Sequence, residues 1–245
     1  MTTKTRGQRV FRGLKYLSVF LLLAIASSTL YYLNEIRLAR VQTPALVSTA
    51  QMSYFKAASI AKLTPAQLQI LLAIEDPKFY SHHGVDLATP GAGMTTITQG
   101  LVKLLYYPEG FKQGIAKIRQ TLIAQYALDD LVDKETQLEL FLNLAYFGHE
   151  QNHEVKGFAP AAQIYFRKEL SNLDESEFIG LVAMLIAPNK FKPGTAVHTE
   201  RVQRIQAYLA GTYQAQSLLD TQYNGTQRGS LSEEVLVAFL RLITD

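Results

Sequence analysis

The most restrictive feature of this sequence is an uncharged apolar run from Tyr16 to Leu33, which reads YLSVFLLLAIASSTLYYL. The segment before it is basic and contains Lys4, Arg6, Arg9, Arg12 and Lys15. At about 1.5 Å per residue, a helix of this length roughly spans the hydrocarbon core of a bilayer. Basic residues beside such a helix stay cytoplasmic, so we predict a cytoplasmic tail at residues 1–15 and a transmembrane anchor at residues 16–33.

A cleaved signal peptide is the alternative interpretation of this run. Ala24-Ile25-Ala26 resembles a cleavage site that follows a short apolar core. However, the apolar run continues to Leu33, and the pair Tyr31 and Tyr32 is typical of a membrane interface. We therefore favour an uncleaved anchor, which leaves the rest of the chain outside the membrane on the extracytoplasmic side.

Length and composition limit what the remaining chain can be. The 245 residues are 48% hydrophobic, which is enough for one sizeable globular domain with an appendage. The net charge of +3 is too small to indicate nucleic acid binding. Cysteine is absent, which excludes disulfides and thiolate metal sites. No strand-like alternation persists beyond a few residues, so the predicted fold class is mainly α with at most a minor β element.

A helix start is encoded at Thr64, which is followed by Pro65 and, three residues after the threonine, by Gln67. This pattern combines an N-cap hydroxyl, a proline at the first helical position and a capping-box partner. Apolar residues then recur at helical spacing, and Pro77 disfavours continuation of the helix. The sequence therefore predicts that Glu75 lies on the last turn of a packed helix.

A carboxylate at the end of a buried helix has two interpretations. An isolated Glu-Asp-Pro triplet commonly does no more than close the helix. Alternatively, Glu75 is a general base, because partial burial and the negative end of the helix dipole both raise the pKa of its carboxyl towards working pH.

The residues after this helix favour the second interpretation. Glu75, Asp76, Phe79, His82, Gly84 and Asp86 fill every fixed position of the pattern Glu-Asp-x-x-Phe-x-x-His-x-Gly-x-Asp. This pattern resembles the first motif of the membrane-bound peptidoglycan glycosyltransferases (transglycosylases), which polymerise lipid II. The resemblance implies a lysozyme-like helical domain with Glu75 as catalytic base. It also places Asp76 and His82 in the substrate site, chiefly to hold the motif in shape.

A glycine-rich loop and a helix follow, and they resemble the second motif of the family, Gly-Gly-Ser-Thr-Ile-Thr-Gln-Gln. Here residues 93–100 read GMTTITQG, with a lysine three positions later. Hydroxyl, amide and ammonium groups at a helix entrance can hold a diphosphate. A capped helix with a solvated lysine is the alternative. The resemblance implies that the substrate-binding residues of this segment are Thr96, Thr98, Gln99 and Lys103.

The sequence departs from the family in this region and in the next helix. Only residues 87–92 separate the two motifs, where relatives carry a longer mobile segment. The third motif, Arg-Lys-x-x-Glu, falls on Lys117, Ile118 and Thr121, so only the first position keeps its charge. Arg119 lies roughly 200° around the helix from Lys117, so it is not an obvious substitute. The resemblance implies substrate binding by Lys117, but with activity that is weak or lost.

The family resemblance extends from about residue 64 to residue 209, and we place the domain at residues 64–213. It includes LELFLNLAYFG at 138–148 and GFAPAAQIYF at 157–166. Residues 34–63 are predicted as a membrane-proximal linker with some helix. In it Tyr54, Phe55, Lys56 and Lys62 could touch lipid headgroups, but we favour an ordinary amphipathic segment. Residues 214–245 are predicted as a tail with a short helix and no recognised function. His149 and His153 lack a third ligand, so no metal site is predicted on the protein.

These observations lead to one main functional hypothesis. The chain is a monofunctional glycosyltransferase of the bacterial cytoplasmic membrane that polymerises lipid II, with lipid-linked glycan as donor and a possible Mg²⁺ or Mn²⁺ on the diphosphate. Cell-wall synthesis proteins are possible partners. One alternative is a catalytically degenerate, membrane-anchored glycan-binding scaffold. Another is a lysozyme-like hydrolase that uses Glu75 as general acid and Asp86 as the second carboxylate.

Overall fold

The fold is mainly α-helical in the computed structural model, which describes residues 6–53, 59–112 and 114–244. The helices are α1 (Arg6–Ser53), α2 (Pro65–Glu75), α3 (Ile97–Tyr106), α4 (Ile115–Ile123), α5 (Asp129–Leu131), α6 (Lys134–Leu144), α7 (Phe158–Phe166), α8 (Glu175–Met184), α9 (Ala196–Leu209) and α10 (Leu231–Thr244). Strands β1 (Tyr146–Glu150) and β2 (His153–Lys156) form an antiparallel hairpin. The predicted fold class is confirmed.

Helix α1 is continuous from Arg6 to Ser53, so it includes residues 34–53 of the predicted membrane-proximal linker. Beyond the apolar run, α1 packs on the domain, where Ala39 and Ala50 are buried. Thr43 is also buried, and its hydroxyl hydrogen-bonds the phenol of Tyr106 at 2.5 Å. Ala39, Thr43 and Ala50 thus mark the face of α1 that the domain covers.

The predicted headgroup contacts of Tyr54, Phe55 and Lys56 lie outside the described residues. Two ion pairs also join α1 to the domain. Arg40 contacts Asp130 at 2.5 Å, and Glu35 pairs with Arg119 of α4.

The core of the domain surrounds α8, whose residues from Phe178 to Met184 are all buried. Helices α2, α7 and α9 pack against it. The predicted capping box is confirmed at the start of α2, with Thr64 and Gln67, and a second capping box, of Asp174 and Glu177, begins α8. Because α2 is capped at its start and packed against α8 and α9, its last residue, Glu75, is held at the junction of three helices.

Gly84 makes a close approach to the α4–α5 region. Helix α4 runs into α5 through a π-helical turn at Ala124–Leu128, so the backbone widens there. Gly84 has φ of +78°, and a Cβ atom on it would lie 2.6 Å from the carbonyl oxygen of Ala124. Only glycine satisfies both this conformation and this spacing.

The C-terminal segment is packed on the domain. Val237 and Leu240 of α10 form a small apolar cluster with Leu87 and Leu218. The guanidinium of Arg241 donates hydrogen bonds of 3.1 and 2.6 Å to the carbonyl oxygen of Leu87. The predicted tail therefore lies against the short loop that precedes α3.

Candidate active site

A cleft of about 270 Å³ opens at the C-terminal end of α2. The charged residues that line it are Glu75, Lys103 and Arg201. Its rim is formed by the glycine-rich loop at residues 91–95 and by Thr221. The cleft thus combines a carboxylate with two cations, which is the charge pattern expected for a base beside a departing anionic group.

Glu75 is the carboxylate of this cleft, at the last position of α2. It keeps some contact with solvent but is surrounded by protein atoms. Burial raises the pKa of its carboxyl from 4.5 to about 7. The positive charge of Arg201 counteracts this rise and the negative charge of Asp76 adds to it. Glu75 can therefore accept a proton near neutral pH, as expected of a general base.

Arg201 is a site residue that the sequence analysis missed. It is buried in α9, with 2% of its surface exposed. Its Nε donates to the carbonyl oxygen of Ala183 at 2.9 Å, and its Nη1 donates to that of Thr221 at 3.0 Å. Arg201 follows His198 by three residues and precedes Ile205 by four, so helical spacing puts all three on the buried face of α9. The sequence signal that could have identified Arg201 was an arginine at helical spacing from His198 and Ile205 on the buried face of α9.

Lys103 and Lys117 have different environments. Lys103 lines the cleft, and its Nζ lies 5.2 Å from the centre of the Phe111 ring. Lys117 is buried behind the rim, where its Nζ donates to the carbonyl oxygen of Met94 at 2.5 Å and to the Thr95 hydroxyl at 3.1 Å. Burial lowers the pKa of both amines, and Lys103 lowers that of Lys117 further. Lys117 thus supports the rim of the cleft, whereas Lys103 faces into it.

Asp76 and His82 bind each other. The carboxylate of Asp76 is buried and lies 2.8 and 3.0 Å from His82 Nε2. It also accepts a hydrogen bond of 2.9 Å from the backbone N–H of Ile97, the first residue of α3. These contacts join the end of α2 to the start of α3, in keeping with the shape-holding role expected of both residues.

The structure does not place Thr96, Thr98 and Gln99 among the residues that line the cleft. All three are buried. Thr96 and Gln99 form the capping box of α3, and Gln99 Nε2 also donates to the hydroxyl of Thr121 at 2.9 Å. Thr98 donates to Gln137 at 2.7 Å. These side chains hold the helix that presents Lys103. We expected Thr96, Thr98 and Gln99 to bind the diphosphate, but in the structure their side chains bond to other protein groups and do not face the cleft.

The other two third-motif positions, Ile118 and Thr121, do not line the cleft. Ile118 lines a separate apolar groove between α1, α4 and α10. Thr121 is fully buried and donates to the carbonyl oxygen of Lys117 at 2.8 Å. Arg119 pairs with Glu35, and its guanidinium stacks 5.0 Å from the centre of the Tyr107 ring. None of these three residues contributes charge to the cleft around Glu75.

Asp86 is occupied by its own turn. Its Oδ1 accepts hydrogen bonds from the N–H groups of Ala88 and Thr89 at 2.9 and 3.1 Å, and its Oδ2 accepts one from the Thr89 hydroxyl at 2.5 Å. Burial would raise the pKa of this carboxyl, but these hydrogen bonds outweigh it and lower the pKa. Asp86 is not among the residues lining the cleft, so it is poorly placed as a second catalytic carboxylate.

Sequence comparison identifies the family. Residues 42–214 match the family described as transglycosylase. This chain belongs to the transglycosylase family. The domain of this family is lysozyme-like, so the predicted fold is confirmed beyond its helical class.

The chain is also similar to curated members with longer chains. It is 29% identical to penicillin-binding protein 1F of Bacillus subtilis over 184 residues, which is 70% of this chain and 25% of that protein. It is 32% identical to penicillin-binding protein 1A of Neisseria cinerea over 165 residues, or 62% of this chain and 20% of that protein. The same values hold for penicillin-binding protein 1A of Neisseria gonorrhoeae. The matched region thus covers only a quarter to a fifth of these relatives.

Proposed function

We propose that this protein is a peptidoglycan glycosyltransferase that transfers a lipid-diphosphate-linked glycan to the 4-hydroxyl of lipid II. The observation that carries the proposal is the cleft in which Glu75, at the end of α2, lies with Lys103 and Arg201. Burial there raises the pKa of Glu75 to about 7, which agrees with a role as base. Family membership supports the same reaction class.

In the proposed reaction, ionised Glu75 takes the proton from the 4-hydroxyl as the oxygen attacks the anomeric carbon of the donor. The bond from that carbon to the diphosphate oxygen breaks, and the diphosphate leaves with its bonding electron pair. Lys103 and Arg201 stabilise the negative charge that develops on it. Lys117 and the buried residues of α3 keep the glycine-rich rim and Lys103 in place.

A divalent cation does not fit the protein side of the cleft. Across residues 6–53, 59–112 and 114–244, no group of three or more His, Cys, Asp or Glu side chains is placed to hold a metal ion. Glu75 is the carboxylate lining the cleft, and a metal bound there would compete with its role as base. A cation dependence remains a prediction, which activity after treatment with a chelator will test.

We also propose that the protein is anchored in the bacterial cytoplasmic membrane with the domain on the extracytoplasmic side. Part of α1 is long and apolar enough to cross a membrane. Anchoring predicts that the chain stays in the membrane fraction after a high-salt wash and that external protease reaches its domain. A soluble chain beginning near Ser27 would instead indicate cleavage.

Lipid II polymerisation by the detergent-solubilised full chain tests the reaction, with Glu75→Gln as matched control. Long glycan strands from the wild type and none from Glu75→Gln would support the proposal. Equal polymerisation by both would refute Glu75 as base. Binding of glycan without product would favour the scaffold alternative, and shortening of added glycan would favour the hydrolase.

A further inference from the structure

A loop that follows the matched domain is folded around one buried carboxylate. We call residues 213–226 the Asp220 loop. Asp220 is fully buried, and its Oδ1 accepts hydrogen bonds from the N–H groups of Asn224 and Gly225 at 3.0 and 3.2 Å. Its Oδ2 accepts one from the N–H of Gln216 at 3.0 Å. Hydrogen bonds to a carboxylate are stronger than those to a neutral acceptor, so Asp220 fixes the conformation of the loop.

The hydroxyl of Tyr213 also donates to the Asp220 carboxylate, and it accepts a hydrogen bond of 2.7 Å from the N–H of Gly225. Burial would raise the pKa of Asp220, but the hydrogen bonds from Tyr213 and from the backbone outweigh it and lower the pKa. The loop is therefore built around an ionised carboxylate.

Backbone hydrogen bonds join the Asp220 loop to the rim of the catalytic cleft. The N–H of Gly91 donates to the carbonyl oxygen of Ser217, and that of Gly93 donates to the carbonyl oxygen of Leu218, both at 2.8 Å. A Cβ atom on Gly93 would lie 2.8 Å from Cγ2 of Thr221. The glycines of the rim thus permit a close approach that a larger residue would prevent.

The loop also holds the arginine of the cleft. Thr221 lines the cleft, and its carbonyl oxygen accepts the hydrogen bond of 3.0 Å from Arg201 Nη1. A buried guanidinium with few acceptors depends on each of them for its position. Because Thr221 lies next to Asp220 in the chain, the carboxylate that orders the loop also fixes this acceptor.

We propose that the Asp220 loop is a positioning element of the catalytic site, in which Asp220 acts through Thr221 to hold Arg201 beside Glu75. The catalytic part of this role rests on the proposed function. The loop lies mostly beyond residue 214, where the match to the family ends. Asp220 touches no reacting group, so it is a positioning residue.

Titration of Glu75 tests this proposal without substrate. The full chain in detergent is labelled with ¹³C at the δ-carbon of glutamate, and the Glu75 signal is identified as the one missing from Glu75→Gln. The pKa of Glu75 is then measured in the wild type and in Asp220→Asn. Because the charge of Arg201 lowers this pKa, displacement of Arg201 should raise it, by about 0.5 or more.

The matched control is Glu233→Gln, the same change of carboxylate to amide at the start of α10, where Glu233 accepts from Ser230. This variant should leave the pKa of Glu75 and the rate of polymerisation unchanged. If Asp220→Asn fails to fold, Tyr213→Phe replaces it, since that variant keeps the ring and loses one hydrogen bond to Asp220. A smaller upward change is then expected.

An unchanged pKa of Glu75 in whichever of these loop variants folds would overturn the positioning role. In an active enzyme, the acid limb of the pH–rate profile should move to higher pH together with the pKa. If the wild type proves inactive on lipid II, the titration still decides the structural claim, so failure of the reaction and failure of the loop proposal give different results.

Discussion

Arg201 lines the same cleft as Glu75, and its positive charge opposes the effect of burial on the carboxyl. The pKa of Glu75 is about 7 as a result of these opposing influences. Without the cation, burial would push the carboxyl further towards its neutral form, which cannot accept a proton. Arg201 therefore keeps Glu75 basic although protein atoms surround its carboxyl.

The first prediction concerns the pH dependence of the reaction. Activity should rise with pH along an acid limb centred at about 7, because the ionised form of Glu75 is the base. Initial rates of lipid II polymerisation between about pH 5 and 9 measure this limb. A limb centred near 4.5, the ordinary value for glutamate, would show that the carboxyl is solvated in the working enzyme.

The second prediction concerns the effect of Glu75 on stability. The folded-state pKa, about 7, is above the ordinary value of 4.5, so the folded chain binds this proton more tightly than the unfolded chain. The free energy of unfolding therefore falls as pH rises from 4.5 to about 7, and Glu75→Gln removes that loss. At about pH 8 the variant should be more stable by about 1–3 kcal/mol, with partial solvent contact favouring the lower figure.

Urea unfolding of the wild type and of Glu75→Gln in the same detergent checks this sign at two pH values. The difference should vanish at about pH 4, where both states carry a protonated carboxyl. A variant that is less stable than the wild type at both pH values would mean that Glu75 makes a structural contact.

The third prediction assigns leaving-group stabilisation to Lys103. A charge-assisted contact contributes roughly 1.5–3 kcal/mol, so Lys103→Met should lower kcat by about 10- to 100-fold. Its melting temperature should change little, because Lys103 lines the open cleft. Lys168→Met is the control, since Lys168 pairs with Glu177 on the surface. Equal activity of both variants would remove Lys103 from the donor site.

The fourth prediction concerns the third motif. If Ile118 and Thr121 lined the donor site, the change Ile118→Lys with Thr121→Glu would restore the charges of the family pattern and raise the rate. The structure predicts the opposite, because Thr121 is fully buried and Ile118 lies in an apolar groove. An unpaired buried carboxylate destabilises by several kcal/mol, so the double variant should unfold at lower temperature without a gain in rate. A faster enzyme would contradict this placement.

The fifth prediction separates backbone strain from steric overlap at Gly84. Gly84→Ala should be strongly destabilising, because the backbone has φ of +78° and the new Cβ would lie 2.6 Å from the carbonyl oxygen of Ala124. Gly194→Ala is a matched control, with φ of +86° and open space around the Cβ position. The control should lose about 1 kcal/mol and Gly84→Ala at least about twice that. Equal losses of stability in the two variants would show that the π-helical turn moves away from the new methyl group at little cost.

Local signals in the sequence predicted local structure well. The pattern at Thr64 gave the start of α2, and Pro77 gave its end, so the position of Glu75 on the last turn followed without knowledge of the fold. Capping and proline effects involve residues only a few positions apart in the chain, so they can be predicted from the sequence without knowledge of the fold.

The sequence was less informative about which polar residues face the cleft. Thr96 and Gln99 belong to the family pattern, but their side chains form a capping box, and a motif alone does not distinguish support of a fold from contact with a ligand. Arg201 and Thr221 reach the cleft from distant parts of the chain. Their role depends on the packing of α9 and the Asp220 loop, which no local pattern encodes.

The continuity of α1 has a mechanical consequence for an enzyme that works on membrane-bound substrates. Helix α1 has no break between Leu33 and the buried residue Ala50, a distance of about 25 Å at ~1.5 Å per residue. In the proposed anchored arrangement, a tilt of the apolar run therefore turns the whole domain as a lever. A spanning helix that is longer than the local hydrocarbon thickness can accommodate the mismatch by tilting. The thickness of the surrounding bilayer would then contribute to the angle at which the cleft meets the headgroups.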